Sequence, residues 1–219
     1  MTDSAYVFTI FFLTLGPLKI IPPAAAATAG LGWREVVAIA FKASVLATLI
    51  ALAIFYGGNH IVSAWRVSVE AIAIAGGVLL FVTALRMITN FSLVEVPQAA
   101  AAPQAAKPPA HDWRTLFGLL ERPVLSPIVL PATITPIGVV ALFYFAAATY
   151  GNPAAQQGIV LVLLQIMGFN FIAMALAKPI LRVVGLAVLQ ALGWVLSALQ
   201  AALAIQIILG SLRRLHVLP

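Results

Sequence analysis

The chain contains no cysteine, which excludes disulfides, thiolate nucleophiles and sulfur-ligated metal sites. Charge is scarce too: Asp, Glu, Lys and Arg make up 8% of the 219 residues, and only six residues are acidic. The three histidines, His60, His111 and His216, fall in loops or near the terminus and far apart, so no metal site is expected. There is no zinc-binding His pair, no Gly-x-Ser-x-Gly elbow, no phosphate-cradling Gly-Lys-Thr loop and no pair of acids within an apolar run. These absences argue against an enzyme and against a bound cofactor. A sequence 63% hydrophobic, with mean hydropathy +1.10, lacks the polar surface of a soluble domain and reads as an integral membrane protein.

Apolar runs of the roughly 20 residues needed to cross a hydrocarbon core recur, whereas alternating strand-like segments do not. The pattern predicts an all-α membrane protein with six transmembrane helices, near 5–28, 36–57, 69–89, 124–148, 156–178 and 187–209. The net charge of +6 does not imply nucleic acid, because the basic residues are scattered around helix ends and form no run. One set of loops carries Arg34, Arg86, Lys107, Arg114, Arg122, Lys178 and Arg182; the opposite set carries Arg66, Arg213 and Arg214. The richer side should be cytoplasmic, which puts both termini outside, in the periplasm of a cell that has one. The opening Met1-Thr2-Asp3-Ser4 has no basic residue, so a cleaved signal peptide is not expected.

Residues 92–122 interrupt the hydrophobic pattern with prolines, alanines and scattered charges, a composition suited to a mobile cytoplasmic linker. Trp113, Leu116, Phe117 and Leu120 can form a short interfacial helix within it, and a gating role for the segment is the alternative. The linker separates two three-helix units, 1–91 and 123–219. Pro17 corresponds to Pro136, 119 residues later, and Gly77 through Arg86 aligns with Ser197 through Gln206 at an offset of 120. Each unit crosses the membrane an odd number of times, so tandem copies must be inverted, an arrangement typical of carriers with a midplane site.

The first apolar run is broken where it carries a charge: Leu13-Thr14-Leu15-Gly16-Pro17-Leu18-Lys19-Ile20-Ile21-Pro22-Pro23. A proline lacks an amide proton and orphans the carbonyl four residues earlier, so Pro17, Pro22 and Pro23 should release Leu13, Leu18 and Lys19. Broken backbone and charge at membrane depth are tolerated only inside protein or beside a polar cavity. Lys19 lies about ten residues from either end of its run, roughly 15 Å at helical rise. Placing a lysine there costs about 2.5–3.5 kcal/mol, which some partner must offset. No carboxylate is suitably placed in the sequence. The partner is a freed carbonyl, a hydroxyl, water or a solute carboxylate, so Lys19 is either structural or substrate-binding. Thr133, Thr135 and Pro136 surround the second break, where the threonines cap backbone or face a ligand. Gly16 and Gly138 permit close approach. Gln165, Asn170 and Gln206 are amides in apolar runs, residues that usually join helices, and Gly76-Gly77 and Gly193 suit tight packing.

Taken together, Gly16-Pro17 through Ile21-Pro22, the stretch Ala73-Ile74-Ala75-Gly76-Gly77-Val78-Leu79-Leu80-Phe81, and Ala204-Ile205-Gln206-Ile207-Ile208-Leu209 resemble the MarC family of six-helix bacterial and archaeal membrane proteins, related to the LysE exporter superfamily. Pro131 and Ile134-Thr135-Pro136-Ile137-Gly138 resemble its second broken segment. The resemblance implies a multi-pass inner-membrane protein, with some relatives similar to carriers of small neutral amino acids driven by an ion gradient. The chain departs from that pattern at Gly16-Pro17-Leu18-Lys19, where the family has Asn-Pro-Ile-Gly, and at Arg86, where an acid is expected. The expectation is therefore a secondary transporter of small amino acids or related carboxylates, working by alternating access. Its substrate site would be Gly16, Pro17, Lys19, Thr133, Thr135, Pro136, Gly138 and Gln206, with a proton or sodium ion for coupling. A noncatalytic scaffold or accessory subunit is the alternative. Exposed small-residue faces are compatible with a homodimer.

Overall fold

The computed structural model describes residues 4–89, 128–129 and 132–217, without the side chains of Asn59 and Ser63. The linker 92–122 with its Trp113 segment, and Pro131, lie outside the described residues. Within them the fold is all-helical. Its elements are α1 (Ser4–Leu15), a 3-10 turn (Pro17–Lys19), α2 (Ile21–Ala27), α3 (Trp33–Ala64), α4 (Val69–Thr89), α5 (Pro136–Ala148), α6 (Pro153–Ala175), α7 (Ala177–Val184) and α8 (Leu186–Arg214). Five stretches are long and apolar enough to cross a membrane: Ser4–Ala27 taken across its break, Trp33–Val62, Val69–Thr89, Pro153–Ala175 and Leu186–Arg214. Pro136–Ala148 is apolar but shorter.

Helix α3 shows how the sequence builds the core. Ala40, Ala43, Ala47 and Ala51 recur at helical spacing and are buried, with Phe55 continuing the stripe, while Phe41, Leu49 and Tyr56 on other faces are exposed. Small residues on one stripe let neighbouring helices approach closely, and large apolar residues on the remainder suit a lipid-facing surface. α5 and α6 pack on α3, and α1 packs on α6 and α5. α4 lies along α8 and also touches α5, while α2 packs on α7. At the α1–α5 contact the rings of Phe11 and Phe145 meet edge to face, 5.2 Å between centroids.

Three sequence expectations change. Pro22 and Pro23 do not break a helix: they occupy the first turn of α2, where a missing amide proton costs nothing. The first interruption is confined to residues 16–20, and Pro17 opens the 3-10 turn. The expected span 124–148, read as broken at Thr135-Pro136, is regular α-helix only from Pro136. Before it, 128–129 and 132–133 follow wider π-type turns, and Thr135 is extended. Finally, α7 forms where a loop was expected after the fifth helix. It ends at Gly185, whose φ of 77° turns the chain into α8, and Lys178 fixes α7 by donating to the Leu31 carbonyl at 2.9 Å.

Candidate functional site at the paired helix breaks

Helix α1 stops at Leu15 because Gly16 is extended and Pro17 has no amide to offer. The last carbonyls of α1 therefore lose their helical donors. Each of three finds a side chain instead. Leu13 accepts from Lys19 Nζ at 2.7 Å, Thr14 from Thr135 Oγ1 at 2.9 Å, and Leu15 from Asn170 Nδ2 at 2.7 Å. One cap comes from the turn after the break, one from the second break, and one from α6.

Thr135 works in both directions. It is the N-cap of α5, accepting from the Gly138 amide at 3.0 Å, while its own hydroxyl proton goes to Thr14. Thus the carboxyl end of α1 and the amino end of α5 meet through a single side chain. Gly138 permits that meeting: a Cβ there would collide with the Leu15 side chain, and one at Gly16 would overlap the Phe12 carbonyl. Both glycines are buried.

Of the residues expected at a site, Gly16, Pro17, Lys19, Thr135, Pro136 and Gly138 all belong to these two breaks. Lys19 is half-buried, and its hydrogen bond goes to the carbonyl released by Pro17, not to those assigned to Pro22 and Pro23. Thr133 is buried and donates to Ile128 O at 2.9 Å, closing the wide turn before the break. Pro136 is exposed at the first position of α5. Gln206 stands apart: it is exposed on α8 and lines a crevice of about 500 Å³ with Tyr6, Tyr144, Arg213 and Arg214 over apolar walls that include Ile205 and Leu209. Arg214 approaches Glu70 at 4.0 Å.

A small apolar pocket of about 30 Å³ shares Tyr144 and Ile207 with that crevice and reaches Ile137, beside Gly138. None of Gly16, Lys19, Thr135 and Gly138 lines either space. At the break the three freed α1 carbonyls are each met by a side chain of the protein itself.

Sequence reasoning gave Asn170 only a helix-joining role and overlooked Gln200. The Gln200 amide donates to Leu80 O at 3.2 Å and to Thr83 Oγ1 at 3.0 Å, tying α8 to α4. Its one signal was that it stands opposite Leu80 in the 120-residue alignment. Tyr6 and Tyr144 gave no signal, since tyrosines near helix ends are ordinary interfacial anchors.

The profile described as MarC family integral membrane protein matches residues 1–216. The chain belongs to the MarC family. It is also similar to the UPF0056 membrane protein MJ0972 of Methanocaldococcus jannaschii, with 24% identity over 204 residues, covering 93% of this chain and 83% of that protein. No solved structure matches it significantly. Family and helices agree: this is an integral, multi-pass membrane protein. The paired breaks lie inside the matched region, as does the crevice.

Proposed function

We propose that this MarC family member is a secondary carrier of small amino acids or related carboxylates, with its substrate site at the paired breaks. The observation that carries the reading is the meeting of the α1 carboxyl end and the α5 amino end through Thr135. A helix carboxyl end presents partial negative charge and an amino end partial positive charge. Side by side, they match the ammonium and carboxylate of a zwitterion. In the arrangement described above, Lys19, Thr135 and Asn170 satisfy these ends internally, as a closed carrier would require. Substrate would displace some of those contacts as the halves rock. Gly16, Pro17, Pro136 and Gly138 would bring backbone close to the solute, and Thr133 would support the second break from behind.

Helix pairings favour two inverted units, 1–91 and 123–219. α3 packs on α5 and α6 packs on α1, so the second helix of each unit touches the broken helix of the other. The third helices, α4 and α8, pair directly. A two-fold relation would generate this exchange. The crevice beside Gln206 would be the outer approach, with Arg213 and Arg214 drawing in carboxylates and the apolar seam at Ile137 acting as the barrier. The loop charge bias favours an inner-membrane orientation with both termini periplasmic. Coupling would be to a proton or sodium gradient, and no bond-making chemistry is assigned to the chain.

Gradient-driven flux of labelled glycine, alanine and small carboxylates in proteoliposomes tests the reading. Flux should fall at least about tenfold in Gly138→Leu, whose side chain fills the space between the breaks. Absence of gradient-dependent flux for every solute in the parent protein overturns the carrier and favours a scaffold.

A further inference from the structure

The crevice at the end of α8 is graded in polarity. Its volume is about 500 Å³, and it lies between Tyr6 on α1, Tyr144 on α5 and the last turns of α8. Arg213 and Arg214 line the α8 wall at one end, with Leu209 and Ile205 further back along the helix. Ile205 and Arg213 are eight residues apart, about 12 Å at helical rise. A change from cationic to apolar over such a distance is that of a bilayer interface, where headgroups give way to hydrocarbon.

The charged end is incompletely neutralised. Arg214 is already engaged: its Nη2 donates to Ser211 Oγ at 3.2 Å, and its Nε stands 4.0 Å from Glu70. Tyr6 lies within electrostatic reach of Arg214 and Tyr144, so phenols and guanidinium gather at one place. Arg213 has no ion pair among the described residues. Two guanidiniums against the Glu70 carboxylate leave one positive charge, which is complementary to a single negative charge on an occupant.

The apolar end faces lipid. Ile205 and Leu209 are 48% and 43% exposed, so this wall continues onto the outer surface of α8. Inward, the crevice shares Tyr144 and Ile207 with the apolar pocket that Gly76 and Gly77 help to line. A small solute on the arginines would leave these walls uncovered, whereas a hydrocarbon chain would bury them.

We infer that the crevice holds one anionic membrane phospholipid, its phosphodiester on Arg213 and Arg214 and the start of an acyl chain against Leu209 and Ile205. The tyrosine phenols sit at headgroup level, apolar in body and polar at the tip. The inference stands apart from the carrier reading, because a lipid bound here requires no flux. If that reading also holds, lipid and incoming solute compete for Arg213.

The experiment titrates the delipidated full chain in detergent with phosphatidylglycerol, with phosphatidylcholine of the same chains and with sn-glycerol 3-phosphate, counting bound molecules by native mass spectrometry. Phosphatidylglycerol should bind saturably, one per chain, at least about tenfold more tightly than either of the others. Arg213→Gln should weaken it about fivefold, the usual contribution of one basic residue to an anionic lipid. A Cβ at Gly210, which also lines the crevice, would meet no atom within 4 Å, so Gly210→Phe fills the space without disturbing the protein. It too should weaken binding although both arginines remain. Arg66→Gln, which removes an exposed arginine outside the crevice, should bind as the parent does. Equal binding of the two lipids overturns the inference. So does glycerol phosphate binding as tightly as phosphatidylglycerol, which would mark a site for free phosphate esters. Equal losses in Arg66→Gln and Arg213→Gln, or no loss in Gly210→Phe, would reduce the effect to diffuse surface charge and overturn it as well. The three titrations of the parent decide the matter even if a variant fails to fold.

Discussion

Thr135 holds two helix ends with one hydroxyl, so its variants separate capping from bulk. Thr135→Val keeps the shape but removes both the acceptor for the Gly138 amide and the donor for the Thr14 carbonyl. A loss of about 1–3 kcal/mol is expected, read as a lower unfolding midpoint, with Thr135→Ser close to the parent. Gly16→Ala should be more damaging than any hydroxyl loss, since its Cβ would overlap the Phe12 carbonyl and only backbone movement relieves that; poor recovery of folded protein is the expected readout. At this scale the sequence was legible where covalent geometry dictates the outcome. The missing amide of Pro17 predicted a free Leu13 carbonyl, and Lys19 occupies it. It was illegible where the partner is remote: nothing near Leu15 in the chain points to Asn170 on α6.

Between elements, α4 packs tightly on α8 and on α5 through its paired glycines. A Cβ at Gly77 would come within 2.6 Å of Ile208 and 3.1 Å of the Ala204 carbonyl, and one at Gly76 within 2.9 Å of Val140. Gly77→Val should therefore cost about 1–3 kcal/mol by overpacking, measured as a lower midpoint in detergent. Gln200→Leu, which removes two hydrogen bonds between the same helices, should cost below about 1 kcal/mol, because polar bonds between membrane helices are individually weak. The contrast in midpoint between the two variants tests whether close packing or hydrogen bonding dominates the seam. Helix existence was readable from apolar run length, as α3, α4, α6 and α8 show. Helix limits were less so. Pro22 and Pro23 read as breakers but act as starters, because a proline's effect depends on whether a helix already runs before it. α7 was missed because its eight residues, with Lys178 and Arg182 among them, look like a loop until α2 provides a surface to pack on.

For the whole molecule, orientation can be tested directly because no native cysteine interferes. In intact cells, Arg213→Cys should react with a membrane-impermeant maleimide and Arg182→Cys should not; the reverse pattern would invert the topology. Composition and run length by themselves determined that this chain is a helical membrane protein, because lipid leaves the backbone only helices or a closed barrel, and its apolar runs have the length of helices and lack the alternation of barrel strands. They also marked both breaks, since proline chemistry is local. Only the tertiary structure decided that the breaks meet, that Lys19 turns inward to Leu13, and that Gln206 faces a crevice elsewhere. The reason is physical: a freed carbonyl states a need for a donor, but which donor answers depends on helix packing, which brings together residues as far apart in the chain as Leu15 and Asn170.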